Sequence, residues 1–427
     1  MLIRFLLLGL CFFLSTNGMQ AQDADNPGNE NNIIDPNIRS AQLVLEGAAL
    51  FLPIMDINAA NNTMRLQFDH IGEEIMDYSY TIVHCNSDWQ PSELEDNQYI
   101  KGYPVNNVDS IFISQNTIID YTHYFVKLPN TNMRWTKSGN YLLKILDNQD
   151  DLKVVLVRRF VVVEPQWSID PRLVQTAMVD KLRTHQELDF TINLKNTRVN
   201  APANDIKAFV LQNSRWDNCI GPIAPFGGGS NTVRFDYQDK IVFPAGLEYR
   251  FFDMRPLDYK GEFVRKIDQF PDHIEVTLKT DKSRFETQVV VRKDINGRYI
   301  IDNASQNRSL LQAEYANVLF SISQNLPLED EDVYVFGELS DWQLKPEFKM
   351  EFNEEAKVYY CEVLLKQGYY NYEYRVVDRN TGLPSKYGFE GNWAETGNKY
   401  TILAYFRPFG AQYDRLMGAA STDTKPN

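Results

Sequence analysis

The sequence predicts an all-β protein of three tandem β-sandwich domains, immunoglobulin-like or early-set-like. Strand-like segments recur at short, regular spacing from Ile33 onward, as they do in sandwich proteins. Aromatic residues are plentiful, with 25 Phe and 23 Tyr among 427 residues, and such side chains suit half-buried pleated surfaces. Segments with helical periodicity stay shorter than about two turns. All three observations favour sheet over helix.

The N-terminal segment is typical of an export signal. A positive charge, a run of roughly ten apolar residues and a small-residue exit ending at Ala21 follow in order. The run is too short to cross a bilayer, which takes roughly 20 residues. Cys11 follows Leu10 where a lipoprotein signal needs a small residue. We expect a signal peptide over 1–21, a disordered polar leader over 22–32, and no direct membrane insertion.

The remaining chain shows one clear pause between strand series. The stretch "EPQWSIDP" (164–171) carries a proline near each end, and proline does not extend a sheet ladder. The expected domains are a first sandwich over 33–167, a middle sandwich over 168–312, a C-terminal sandwich over 313–412 and a flexible tail over 413–427.

Charge and cysteine content exclude several classes of protein. The formal net charge is -14, and an acidic chain without a basic stripe gains nothing from phosphate contacts, so nucleic acid is not an expected partner. Cys85, Cys219 and Cys361 are odd in number and widely separated, unlike a disulfide framework. We interpret them as buried thiols, one per domain.

The stretch "TIVHCNSDWQPSELED" (81–96) raises the question of a reactive site. His84 and Cys85 are adjacent, but adjacent side chains of a strand point to opposite faces, so the two do not form a catalytic pair or a metal site by themselves. Asn, Ser, Asp and Pro then predict a turn, in which Trp89 covers the edge of the core.

No other pattern predicts catalysis or a cofactor. The sequence contains no G-x-S-x-G or H-E-x-x-H motif. The run "GPIAPFGGGS" (221–230) lacks the following Lys-Ser/Thr and helix of a phosphate loop. Acidic clusters at 147–151 and 328–332 leave calcium open as an alternative to simple solvation. We predict a protein that is not an enzyme and needs no cofactor.

Several stretches together resemble one family. "YSYTIVHCNSDWQPSEL", "YTHYFVKLPNTNMRWTKSGNYLLKI" and "RRFVVVEP" are similar to the N-terminal domain of type IX secretion system plug proteins of the Bacteroidota, and "FVLQNSRWDNCI" and "FPAGLEYRFFDMRPL" are similar to the second segment of that family. The positions that match family motifs are Trp89, Pro91, Arg134, Trp135, Arg215, Trp216, Arg250, Asp253 and Arg255. Core packing explains each of them as well, and Arg250 with Asp253 could hold a loop closed.

The resemblance implies a role without catalysis. Members of the family close the periplasmic opening of the outer-membrane translocon barrel of the SprA/Sov type while its lateral gate is disengaged. It implies a periplasmic protein, monomeric within the complex and associated with that translocon. The end of the chain, "FRPFGAQYDRLMGAASTDTKPN", does not look like the signal domain of secreted cargo, which favours a component of the machinery.

The last domain also resembles starch- and glycogen-binding modules, through "VYVFGELSDWQ" and "KQGYYNYEYRVVD". The resemblance places Trp342 and Arg375 at sugar-contacting positions, but a second stacking Trp is missing from "RNTGLPSKYG". A periplasmic or secreted glucan-binding protein therefore stays as the alternative function.

Overall fold

The computed structural model describes residues 28–59, 62–229, 231–286, 292–304, 310–385 and 388–424. Regular structure in these ranges is nearly all strand, which confirms the all-β class. The expected signal peptide, the first part of the leader and Ser230 of the glycine-rich loop lie outside the described residues.

The first part of the described chain forms strands around one short helical turn, α1 (Asp96–Tyr99). In chain order the strands are β1 (Asn32–Ile33), β2 (Ile38–Leu45), β3 (Ile54–Asp56), β4 (Met64–Ile71), β5 (Tyr78–Cys85), β6 (Ile100–Gly102), β7 (Asn106–Asn107), β8 (Ser110–Ile113), β9 (Tyr121–Leu128), β10 (Met133–Trp135), β11 (Gly139–Asp147) and β12 (Lys153–Val163). The turn cluster "DNQDD" (147–151) lies between two strand-like segments of the sequence and so predicts one long hairpin. The last two strands, β11 and β12, form this antiparallel hairpin.

The second part continues with short strands, one helical turn, α2 (Pro202–Asp205), and one 3₁₀ turn (Val179–Lys181). The strands are β13 (Ser168–Val174), β14 (His185–Asn193), β15 (Ile206–Gln212), β16 (Ile220–Ile223), β17 (Gly227–Gly228), β18 (Thr232–Phe235) and β19 (Val242–Pro244).

The described residues of the third part form eleven strands and three 3₁₀ turns, Leu310–Gln312, Glu338–Ser340 and Pro346–Phe348. The strands are β20 (Arg250–Asp253), β21 (Val264–Gln269), β22 (Ile274–Leu278), β23 (Tyr299–Ile301), β24 (Tyr315–Ser323), β25 (Glu331–Phe336), β26 (Lys349–Asn353), β27 (Val358–Lys366), β28 (Gly368–Asp378), β29 (Lys399–Phe406) and β30 (Arg415–Asp423).

The first sandwich encloses its core between two sheets, of order β1-β12-β11-β5-β7 with β3 beside β12, and β2-β4-β9-β8. Alternate side chains of β4, Met64, Leu66 and Phe68, point into this core. The intervening polar side chains Gln67 and Asp69 are also buried. Both faces of β4 are therefore covered, the polar face by the third sandwich.

The second and third sandwiches are not consecutive along the chain. The second consists of sheets β13-β14-β18-β17, with β19 beside β14, and β16-β15-β29-β30. The third, of order β20-β28-β25-β26-β27-β24-β22-β21 with β23 beside β28, is inserted between β19 and β29. The predicted boundaries at 312 and 412 are therefore wrong. Local alternation identifies strands, but it carries no signal for a distant pairing such as Ile206 with Phe406.

Both ends of the described chain are more ordered than predicted. Residues 413–424 do not form a flexible tail, because β30 pairs with β29 along its length and Leu416 and Met417 are fully buried. Gly418 lets this strand lie close to Trp167, whose backbone oxygen would be 3.2 Å from a Cβ at that position. The leader is ordered from residue 28, since Asn32 pairs with Val157 and the Asn29 carbonyl accepts a hydrogen bond from Arg159.

A buried charged cluster joins the first sandwich to the third. The Asp69 carboxylate lies 2.6 Å from Lys366 Nζ, and both side chains are at most 2 % exposed. Tyr315 Oη donates to Asp69 at 2.6 Å, and His123 Nδ1 lies 2.6 Å from the other carboxylate oxygen. Burial raises the pKa of Asp69, but Lys366 and His123 outweigh it and hold the pKa below the ordinary value. The carboxylate is charged and fully partnered.

Replacing Asp69 with Asn should lower the free energy of unfolding by about 3–5 kcal/mol, because the ammonium of Lys366 stays buried without a counter-ion. Denaturant unfolding measures the change. The matched control is Glu46→Gln, which removes one partner of the exposed Lys127–Glu46 bridge of 2.7 Å and should cost less than about 1 kcal/mol. Equal effects of the two substitutions would contradict the assigned role of Asp69.

Stability should also depend on pH through this carboxylate. Because the folded-state pKa of Asp69 is depressed, its contribution is complete above the unfolded-state value of about 3.9 and is lost as the pH falls through the folded-state pKa. Unfolding curves from pH 6 down to pH 2 should therefore fall less steeply for Asp69→Asn than for the wild type. Parallel curves would contradict this.

Candidate functional site at the junction of the three sandwiches

The two reactive-type side chains at the end of β5 point away from each other. His84 packs against Tyr141 and Tyr413, with ring centroids 5.0 and 5.1 Å apart, and its Nε2 lies 3.0 Å from the Ser138 carbonyl. Cys85 points into an apolar cluster on the other face. Burial lowers the pKa of His84 to about 4 and raises the pKa of Cys85 to about 12. The pair therefore supplies neither a thiolate nor a base.

The other two thiols are also kept protonated by burial. Burial raises the pKa of Cys219 and of Cys361 to about 12. Cys361 lies in the core of the third sandwich, whereas Cys219 packs against the contact between the first and second. All three are free thiols in the described chain.

The turn after β5 docks the first sandwich onto the second. Asp414 accepts hydrogen bonds from the Ser87 backbone and hydroxyl, at 2.9 and 2.7 Å, and its own N–H donates to the Asn86 side chain at 3.2 Å. A second polar contact joins the same sandwiches, because Tyr405 Oη donates to Asn140 Oδ1 at 2.6 Å. The turn is thus an interdomain joint.

Trp89 belongs to this joint rather than to the core edge alone. It takes a φ of 65°, a conformation that a bulky residue adopts only where surrounding contacts hold it. Its ring meets the Trp216 ring edge-on at 4.7 Å, and the Arg159 guanidinium lies over it at 4.4 Å. Two predicted family positions therefore meet across the boundary between the first and second sandwiches.

Three other family positions stay within the first sandwich. Pro91 is exposed and bridges to Cys85. Arg134 is exposed and donates to the Asn130 carbonyl at 3.2 Å. Trp135 is a core side chain, 5.4 Å from the Phe160 ring. The structure does not bring these three together with the others.

Arg215 joins the second sandwich to the third. Its guanidinium donates to both carboxylate oxygens of Asp217 and, at 3.0 Å, to Tyr249 Oη. The same group lies 4.3 Å from the centroid of the Trp342 ring. Burial lowers the pKa of Arg215, but Tyr249 and Asp217 outweigh it and raise the pKa above the ordinary value. The cation is thereby fixed against an aromatic ring of the inserted sandwich.

Arg250 does not pair with Asp253, contrary to the loop-closing interpretation. The two residues are three apart on β20, so their side chains point to opposite faces. Arg250 instead contacts Asp281 and Glu390 at 2.7 Å each, inside the third sandwich. Asp253 accepts from Arg255 Nε at 2.9 Å. Both arginines stabilise this sandwich and its loops.

The two positions predicted to contact sugar do not share a pocket. Trp342 lines a cavity of 340 Å³ at the junction of all three sandwiches, whereas Arg375 lines a separate cleft of 610 Å³ between the second and third. Phe336 stands between them, 5.7 Å from the Trp342 ring and 4.3 Å from the Arg375 guanidinium. Since Arg215 already covers Trp342, the geometry provides no open aromatic platform.

The acidic clusters considered for calcium have other partners. Asp147 accepts from the Gln149 backbone at 2.8 Å and Asp150 lies 3.3 Å from Lys153. Asp332 is paired with Lys349 and Arg379. Within the described ranges, no three His, Cys, Asp or Glu residues are grouped as a metal site would require.

Sequence reasoning missed the residues that hold the sandwiches together. Asp69, Lys366 and Tyr315 form one joint, and Asp414 and Asn140 form another. Each lies in a strand or loop whose alternation is ordinary, so no local pattern marks it. These residues are distinguished only by the near-complete burial of their polar groups, which the folded structure shows and the sequence does not.

Residues 38–164 match the family described as "Type 9 secretion system plug protein 1st domain". A solved structure of a hypothetical protein from Parabacteroides merdae ATCC 43184 is 32% identical, with a TM-score of 0.87 over 92% of this chain and 98% of that chain. No protein of curated function matches the sequence.

Two further solved structures are much less similar. They are a serine-rich repeat protein (Srr2) from Streptococcus agalactiae, 8% identical with a TM-score of 0.14 over 91% of this chain and 93% of that chain, and an enterococcal surface protein, 8% identical with a TM-score of 0.18 over 93% and 96%. At these scores neither carries an argument. Among the described helices, none is long and apolar enough to cross a membrane.

Replacing Cys85 with Ser should lower the free energy of unfolding by about 1–3 kcal/mol, because the new hydroxyl is buried in an apolar cluster without a full set of partners. Denaturant unfolding measures the loss. An unchanged free energy of unfolding would contradict the position of Cys85 in the apolar cluster.

Proposed function

We propose, since residues 38–164 match the first domain of type 9 secretion system plug proteins, that this protein closes the periplasmic opening of an outer-membrane translocon barrel of the SprA/Sov type. In this proposal the protein is exported by its N-terminal signal and resides in the periplasm of a member of the Bacteroidota. It binds the barrel when the lateral gate is not engaged and is displaced when cargo arrives. The plug-family domain points to a non-catalytic role.

The observation that supports this most is the way the three sandwiches are held as one body. The first and third share the buried Asp69–Lys366 pair. The first and second share the Ser87–Asp414 contact and the second and third share Arg215 on Trp342. Each sandwich therefore contacts the other two. A body that is already ordered loses little conformational entropy on docking, which favours reversible occupation of a wide opening.

Several family-motif side chains support the body rather than an outer binding surface, whereas Pro91 and Arg134 are exposed. Trp89, Trp216, Arg215 and Arg250 are engaged in contacts within the molecule. Residues that would touch the barrel are therefore not among these, and an interface of about 1,600 Å² formed by other surface residues would hold a standard complex.

Deletion of the gene should increase outer-membrane leakage while secretion continues. The measurement is the uptake of a large antibiotic that the outer membrane normally excludes, with translocon barrel content checked by immunoblot. Complementation with the wild-type gene should restore exclusion. Unchanged exclusion in the deletion strain, with the barrel present at normal levels, would overturn the plug proposal.

Affinity purification of the tagged protein from solubilised outer membranes tests the partner independently. The expected result is co-purification of one very large β-barrel protein. Recovery of the tagged protein without any barrel protein would count against the proposed partner. The leakage measurement would still test the plugging role separately.

The alternative, glucan binding, should fail in titration calorimetry. A linear maltooligosaccharide or β-cyclodextrin should give no binding heat, because the ring of Trp342 is occupied by Arg215 and a platform needs open aromatic faces. Binding that disappears in Trp342→Ala would contradict this expectation.

A further inference from the structure

The strand β8 forms an open edge of the sheet β2-β4-β9-β8. Its residues Ile111, Phe112 and Ile113 are 37, 44 and 60 % exposed. In a regular strand with one face on a core, every second side chain is buried. Here consecutive apolar side chains are exposed on both faces, so the strand projects beyond the core.

The backbone of this edge offers free hydrogen-bonding groups. Ser114 N donates to Tyr121 O, so Ser110, Phe112 and Ser114 direct their backbone groups at β9. Ile111 and Ile113 therefore direct their N–H and C=O groups away from the sheet. Gln115 lies two positions beyond Ile113, so its backbone N–H also points away from the sheet, and it donates to the Leu311 carbonyl. No described residue pairs with Ile111 or Ile113 from the outer side.

The edge also lacks several of the features that normally prevent strand association. The segment "DSIFISQ" (109–115) contains no Lys, Arg or Pro and the ladder with β9 shows no bulge. Natural proteins protect exposed edges with such residues or bulges, and an unprotected apolar edge pairs with another strand. The open edge of β8 is therefore suited to a β-strand partner.

The sequence of the edge favours a second copy of this chain as the strand partner. "SIFIS" (110–114) reads the same in both directions around Phe112. A two-fold axis at Phe112 would run two copies antiparallel, with Ile111 of one copy opposite Ile113 of the other. These are the two residues whose backbone groups face outward, so each such pair exchanges two hydrogen bonds, as the antiparallel ladder requires. Phe112 then lies opposite Phe112 of the second copy.

We propose that two copies of this protein associate through β8, joining their sheets across an antiparallel β8–β8 contact centred on Phe112. The side chains are self-complementary, as a two-fold interface demands. The inference concerns the free protein and goes beyond the plug proposal, on which it does not rest. It departs from the monomer expected from the sequence.

The mass of the purified protein, measured by light scattering or sedimentation from about 1 to 200 µM, tests the proposal, since a small interface places the dissociation constant in roughly the micromolar range. The expected result is a concentration-dependent shift towards twice the chain mass. Because each copy carries a net charge of -14, added salt should favour the dimer by screening repulsion. A single-chain mass throughout would overturn the proposal.

Two matched variants test whether β8 forms the contact between the two copies. Ile113→Lys adds a charge at the edge and should raise the dissociation constant at least about tenfold. Leu326→Lys makes the same change at a side chain that is 68 % exposed, in a loop of the third sandwich, and should leave the dissociation constant unchanged. Equal effects of both variants, or none from Ile113→Lys, would exclude β8 as the interface.

Disulfide trapping tests the register. In Phe112→Cys the two new residues face each other with Cα atoms about 4.5 Å apart, within the range of about 4.4–6.8 Å that a disulfide allows. Mild oxidation should give a covalent dimer. Ile111→Cys should not cross-link, because its symmetry mate is displaced by two positions, about 7 Å along the strand. The wild-type protein is the control for cross-linking through its native thiols. Cross-linking of Ile111→Cys but not of Phe112→Cys would reject the register.

Discussion

The carboxylate of Asp69 is the group on which the arrangement of the sandwiches most depends. It is buried in the contact between the first and third sandwiches, where Lys366, His123 and Tyr315 surround it. A buried charge is tolerated only when it is paired and hydrogen-bonded. Separating the two sandwiches would break the contacts of Asp69 with Lys366 and Tyr315. The pair therefore fixes how the sandwiches sit against each other, and it explains why the polar face of β4 is buried.

The second sandwich completes the assembly by contacting both of the others. Asp414 accepts a hydrogen bond from Ser87 in the turn that follows β5. The Arg215 guanidinium lies over the ring of Trp342 in the inserted sandwich. This arrangement follows from the insertion, because β29 and β30 return to the second sandwich after the third has been built. Chain order and spatial order differ for this reason. The result is a triangular body in which relative motion of any one sandwich would break contacts with two neighbours.

The interior joints and the outer surface have different roles in the proposed function. The side chains that match family motifs lie mainly in the joints and cores, such as Trp89 on Trp216, where they maintain the shape of the body. The two proposed associations would use other surface features, such as the open edge of β8. The proposed role requires a fixed shape, which the contacts between the sandwiches maintain.

The sequence by itself determined the all-β class, the long hairpin of β11 and β12, the opposite orientation of His84 and Cys85, and the plug-family likeness that the match over 38–164 confirms. These depend on alternation and turn residues, which are local. Only the tertiary structure decided that the third sandwich is an insertion, that the end of the chain is a core strand and that Asp69 is buried. A polar residue facing another domain shows the same alternation as one facing water. Distant strand pairing and charge neutralisation arise from packing across the whole chain and leave no local pattern.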